Sequence, residues 1–151
     1  MKKIRIIALA IAMVMLCMTL AACNSSPKVS VTFTLSIVNG EEVYLDNYSY
    51  TVEGTEAEPP TVLQAVREAC QMVEIATEAD EAGLSLGSLT YDGVTIENMS
   101  SDGENIYAWV YTVNGEDAPG RAGQTAVQEG WHIEYSVFTT PINEQQFSDP
   151  E

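Results

Sequence analysis

The clearest pattern in the chain is a strict alternation. Val29, Val31, Phe33, Leu35 and Ile37 are apolar, and Ser30, Thr32, Thr34 and Ser36 stand between them. A period of two puts one side of an extended segment in a core and the other in water, so Val29 to Val38 reads as a half-buried strand. Asn39-Gly40 then signals a turn. A two-residue hairpin on that pair would set Phe33 against Asp46 and Ile37 against Glu42. That mixes apolar and charged side chains on one face, so a bulge or a longer loop is expected before the returning strand marked by Tyr48, Tyr50 and Val52. Glu58-Pro59-Pro60 ends the strand, and Thr61 is placed to cap a helix. Val62, Leu63, Val66, Ala69, Cys70 and Val73 follow at helical spacing and form one apolar stripe. Glu74 to Ser88 is acidic and broken by glycines, and reads as an irregular connection.

Three more extended regions come after it. Leu89 to Met99 holds a turn at Asp92-Gly93 and a short strand through Val94 and Ile96, and Ser100 to Asn105 is a polar loop. Ile106 to Val113 is a strand closed by Asn114-Gly115. Gln128-Glu129-Gly130 turns into a last strand from Trp131 to Thr139, with Pro141 stopping it and residues 142–151 forming a frayed tail. Strand, strand, helix and three strands predict an α+β domain over residues 29–141, a mixed sheet with one packed helix in β-grasp order. No internal repeat is visible.

The first 22 residues follow a different pattern. Lys2, Lys3 and Arg5 precede an apolar run from Ile6 to Leu16, and Leu20-Ala21-Ala22 leads into Cys23. A basic start, an apolar segment and small residues before a cut make a secretory signal. The Cys directly after Leu-Ala-Ala makes it resemble a bacterial lipoprotein signal, in which that Cys is lipidated and becomes the first residue. The resemblance implies a cleaved segment 1–22, a lipidated tether 23–28, and a domain held on the outer face of the cell membrane by acyl chains, each buried CH₂ contributing about 0.8 kcal/mol. An uncleaved membrane span fits less well: Ile6 to Ala22 is 17 residues, and a spanning helix needs roughly 20.

Charge narrows the function classes. All 22 acidic residues lie beyond residue 22, where only Lys28, Arg67 and Arg121 are basic, a balance of −19. Such a surface repels phosphate backbones, which excludes nucleic acid as a partner. Cys17 leaves with the signal and Cys23 is taken by the anchor, so Cys70 stands alone and no internal disulfide is expected. Its neighbours Val66, Ala69 and Val73 predict a buried small hydrophobe.

Thr61-Val62-Leu63-Gln64-Ala65-Val66 on the helix, Trp109-Val110-Tyr111-Thr112-Val113-Asn114-Gly115 on a strand, and Glu129-Gly130-Trp131-His132-Ile133-Glu134-Tyr135 on the last strand form an ordered set. The set resembles a bacterial family of unknown function whose members are similar to the C-terminal domain of transcobalamin and intrinsic factor. The resemblance spans Val29 to Thr139. In the eukaryotic relatives this domain covers one face of cobalamin and a separate helical domain, of which no counterpart is expected among these residues, covers the other. The resemblance implies a ligand-binding module, with cobalamin or another corrinoid as the ligand and a membrane transporter as the recipient. The alternative is a cell-envelope interaction or structural module that joins partners through an exposed strand edge or loop.

Within Ile106 to Val113, Ile106, Ala108 and Val110 make an aliphatic side suited to packing beneath the helix. Tyr107, Trp109 and Tyr111 make an aromatic side that could serve as a platform for a flat ligand, with Asn114 at its end. The competing reading is that these rings fill the core. Asn114-Gly115-Glu116-Asp117 offers two carboxylates but lacks the Asp-x-Asp-x-Asp-Gly spacing of a calcium loop, so no metal site is expected. His132 is the only histidine, with no Gly-x-Ser-x-Gly elbow and no carboxylate pair that stands out, so no catalytic residue is assigned and no enzyme is expected. The resemblance to a bacterial lipoprotein signal implies that the sequons at Asn47 and Asn98 are chance matches.

Overall fold

The alternating segment becomes β1 (Lys28–Asn39) and its partner β2 (Glu42–Thr55), an antiparallel pair turned on Gly40 and Glu41. The computed structural model describes residues 26–142. The expected bulge is present, and the turn stays tight all the same. The register slips between Leu35 and Ile37 and again between Ile37 and Val38, which sets Phe33 against Tyr50 and Val31 against Val52. Asn47 takes up the slip at φ 47°, and its amide donates to the Ser36 hydroxyl at 3.0 Å. Two one-residue slips thus restore an apolar face that a regular hairpin would have mixed with acids.

Helix α1 (Val62–Met72) begins where its sequence predicts. Thr61 is the N-cap, accepting the Gln64 amide on its side-chain oxygen at 3.3 Å. Val62, Leu63, Ala65, Val66, Ala69 and Cys70 are buried. An 11-residue helix is marginal alone; burying a Val or Leu side chain contributes about 1.5–3 kcal/mol, so packing is what holds it. Its end is a Schellman motif. Ile75 donates to the Cys70 carbonyl at 3.0 Å and Glu74 to that of Gln71 at 3.4 Å, with Glu74 in the left-handed region at φ 61°.

The remaining strands are β3 (Ala76–Ala79), β4 (Leu86–Tyr91), β5 (Val94–Glu97), β6 (Ser100–Ser101), β7 (Asn105–Val113), β8 (Glu116–Asp117) and β9 (His132–Pro141). The main sheet runs β2-β1-β9-β7-β6, with β8 on the end of β7. The pairing of β1 with β9 is parallel and the others are antiparallel. A second sheet, β3-β4-β5, is antiparallel. The arrangement is α+β: mixed, sheet-dominated, with one helix among the described residues.

Several sequence expectations need correcting. Glu74 to Ser88 is not wholly irregular: it contains β3 and the start of β4, because Ala76–Ala79 pairs with Leu86–Thr90. Ser100-Ser101, read as loop, pairs with Ile106 and Tyr107. The last strand reaches Pro141, and Ile142 donates to the Glu104 carbonyl at 2.8 Å, so the ladder is closed one residue into the expected tail. The signal segment, Cys23 and residues 143–151 lie outside the described residues. Among the described residues no helix is long and apolar enough to cross a membrane. The core runs from Phe33 on β1 to Tyr135 on β9 and takes in α1, Leu86 and Leu89 of β4, and Trp109 and Tyr111 of β7.

Candidate functional site

The two sides of β7 are reversed from expectation. Trp109 and Tyr111 are 6% and 8% exposed, whereas Val110 on the supposed helix-facing side is 40% exposed. The reason lies in the register with β9. Tyr111 pairs with Tyr135 and Val113 with Ile133, so these four share the buried face, and Thr112 and Glu134 share the other. Both rings have committed their polar groups. Trp109 Nε1 donates to the Ile96 carbonyl at 3.0 Å, and the Tyr111 hydroxyl donates to the Gly120 carbonyl at 2.7 Å. Tyr111 also stacks on Tyr135, with centroids 5.3 Å apart and planes 20° off parallel. An open platform of three rings is not what this face forms; two of them fill the core.

Tyr107 differs. It continues the same side of β7 out to the junction of the two sheets, where its ring is half-buried. Its hydroxyl donates to Asp102 Oδ2 at 2.6 Å, while Oδ1 accepts the amides of Glu104 and Asn105 at 2.8 and 2.7 Å. The Tyr107 bond first, and then the two amides, hold the Asp102 carboxyl well below the usual carboxylate range. The same bond raises the Tyr107 phenol above its ordinary value. The loop therefore fixes the ring with an ionised carboxylate behind its hydroxyl.

Around that ring lies a cavity of about 290 Å³ lined by Asn39, Thr95, Ile96, Ser100, Asp102 and Tyr107, among others. Three elements build it: the β1–β2 hairpin tip, β5, and the β6–β7 turn. Asn39 is aimed by its amide, which donates to the Tyr44 hydroxyl at 2.9 Å, and Tyr44 stacks on Tyr91 of the small sheet. Ser100 is set by its bond to the Glu97 carbonyl at 2.7 Å, just after Met99, which sits at φ 58° with its side chain exposed. A left-handed conformation at a non-glycine residue costs about 1–3 kcal/mol and is concentrated at functional sites. Hydroxyls, an amide and a carboxylate over an Ile96 floor suit a ligand rich in hydrogen-bond donors. Sequence reasoning missed Asn39, Ser100 and Asp102. The run Asp102-Gly103-Glu104-Asn105, an aspartate folding over its own following amides, was the available signal.

Asn114 is not brought to this cavity. It follows the far end of β7, seven residues from Tyr107 and roughly 23 Å at about 3.3 Å per residue. Its side-chain oxygen accepts the His132 amide at 2.9 Å and its own amide donates to the His132 carbonyl at 2.8 Å, so its groups clamp β9. His132 itself pairs through Nδ1 with the Thr34 hydroxyl at 2.9 Å. Among the described residues no cluster of three His, Cys, Asp or Glu side chains is arranged to hold a metal ion. Cys70 is buried, and burial pushes its thiol up to about 12.

A second cavity, of about 620 Å³, lies between α1 and β3, lined by Gln64, Arg67, Gln71, Ile75, Ala76 and Thr77, among others. It depends on β3 being a strand, and so had no counterpart in the sequence reading.

No family model matches the sequence, and no curated protein matches it. Solved structures do. The chain superposes on the crystal structure of haptocorrin in complex with Cbi with a TM-score of 0.50 and 16% identity, over 76% of this chain and 26% of that one. It thus spans about a quarter of haptocorrin's length and shares its fold in that portion. A protein of Ruminococcus gnavus ATCC 29149, provisionally described as metal binding, aligns at 23% identity and a TM-score of 0.41, over 73% of this chain and 98% of that one.

Proposed function

We propose that the chain is an exported, lipid-anchored and non-catalytic binding module whose β-grasp domain holds a small ligand, with a corrinoid first among the candidates. The observation that carries this reading is the shared fold with haptocorrin over 76% of the chain. The strand order supports it: two leading strands, a helix crossover, and β1 lying parallel beside the last strand. The ligand contact is assigned to the cavity around Tyr107. Its volume of about 290 Å³ is at the small end of ligand pockets, about 300–1,000 Å³. That suits a substituent or one edge of a large molecule better than a whole corrin ring. A membrane transporter is the proposed recipient of the ligand. The anchor at Cys23 rests on the signal sequence, and its role would be to hold the binder beside that transporter.

The test is a titration of the chain beginning at Asn24 with cobinamide and with cobalamin, followed by calorimetry and absorbance. The expected result is measurable heat and a spectral change for at least one of them, with affinity about tenfold weaker in Tyr107→Ala, a loss of ~1.4 kcal/mol. Neither heat nor spectral change at high micromolar ligand would overturn the corrinoid assignment. Retention of the Met1–Ala22 peptide in the mass of the membrane-extracted protein would overturn the anchor.

A further inference from the structure

The protons around the Tyr107 cavity are largely spent inside the protein. Tyr107 gives its hydroxyl proton to Asp102 Oδ2 at 2.6 Å. Ser100, its partner across the β6–β7 ladder, gives its own to the Glu97 carbonyl at 2.7 Å. A hydroxyl whose proton is committed can only accept from a ligand. Asp102 is already filled, by two backbone amides on Oδ1 and by Tyr107 and the Asn105 side chain, at 3.5 Å, on Oδ2. It therefore lends the cavity negative charge and no further bond. Its lowered carboxyl and the raised Tyr107 phenol keep this proton arrangement fixed at neutral pH. No lysine, arginine or histidine lines the cavity to offset that charge.

Neutral donors remain beside these acceptors. Asn39 gives one N–H to Tyr44 and keeps its second, while Ser101 accepts the Gly103 amide at 3.1 Å and keeps its proton. Proton-poor acceptors, a fixed negative charge and a few neutral donors complement a primary carboxamide, which is uncharged and brings two N–H groups and a carbonyl. A carboxylate of the same shape brings acceptors alone and a like charge, which is penalised. We infer that the Tyr107 cavity holds a primary carboxamide and refuses the isosteric carboxylate, with Asp102 and Tyr107 setting the choice. This specificity rests on the ligand contact lying at Tyr107, and not on the ligand being a corrinoid, whose side-chain amides it suits.

The test records amide chemical shifts of the isotopically labelled chain beginning at Asn24 as propionamide or propionate is added to high millimolar concentration at neutral pH. Propionamide gives saturable shifts at Ser100, Asp102 and Tyr107, and propionate binds about tenfold more weakly. In Asp102→Asn the side-chain oxygen keeps the two loop amides, its NH₂ turns to Tyr107 and the phenol proton is freed. The cavity gains donors and loses its charge, so the preference falls to about twofold or less. Glu104→Gln removes the same charge from the same loop without changing a group that lines the cavity, and keeps the preference. No shift with propionamide, equal affinity for the two fragments, an undiminished preference in Asp102→Asn, or an equal loss in Glu104→Gln each overturns the inference. Cobinamide added to the same protein separates the two assignments. Cavity shifts with propionamide and none with cobinamide keep the carboxamide site and remove the corrinoid; shifts with cobinamide and no preference for propionamide do the reverse.

Discussion

Removing one oxygen atom from the core should make this protein more stable. Tyr135 is 2% exposed, and its hydroxyl has no hydrogen-bond partner in the structure. A buried polar group left unpaired costs about 1–3 kcal/mol. Tyr135→Phe keeps the ring and its stack on Tyr111, and gives up only the packing around one oxygen. The net expectation is a stabilisation of ~1 kcal/mol, or a rise in Tm of about 4 °C for a domain of this size. The assay is urea unfolding of the two proteins, with equal slopes so that the midpoints compare stability. The pH dependence supplies a second reading. Burial, and then the neighbouring Tyr111, raise the Tyr135 phenol above its ordinary 10.0. A raised folded-state value means stability is fully present below pH about 10 and falls as pH rises beyond it. The wild type should therefore lose more stability above pH 10 than the Phe variant. A Phe variant weaker by 1 kcal/mol or more would refute the reasoning, since it would mean that the hydroxyl is partnered.

Other consequences follow from the same packing. Burial pushes the Cys70 thiol from its ordinary 9.0 up to about 12, so stability should fall as pH climbs from about 9 to about 12, and Cys70→Ala should flatten the urea midpoint over that window. Disulfide reagents should label Cys70 only at the rate of unfolding. Glu74→Gly removes a side chain from the left-handed cap of α1 and should stabilise by ~0.5–1 kcal/mol, read as a higher midpoint at neutral pH. Gly123 packs against Gly83 and Leu84 so closely that an added Cβ would meet the Gly83 carbonyl oxygen; Gly123→Ala should cost ~2–3 kcal/mol in the same assay.

The elements with strong local signals were legible in the sequence. The β1 alternation, the Thr61 cap, and the turns at Asp92-Gly93 and Asn114-Gly115, both with positive φ at each residue, all follow from patterns a few residues long. The bulge in β1–β2 followed from a conflict of faces. β3 was not legible, because Ala-Thr-Glu-Ala has little intrinsic preference for a strand and its pairing is decided by Leu86–Thr90, seven or more residues on. The sides of β7 could be separated by alternation, but which side is buried depends on the register with β9, since both sides are apolar. The core is therefore visible in outline, and the cavity at β3 is invisible. The Tyr107 cavity falls between: the tyrosine was found, but its neighbours come from three elements that only the fold brings together.

The binding claim is tested most directly by recording amide chemical shifts of the isotopically labelled domain as cobinamide is added. Saturable shifts confined to Asn39, Thr95, Ser100, Asp102 and Tyr107 are expected, with α1 undisturbed. A spectrum that does not move, or shifts centred away from that cavity, would contradict it.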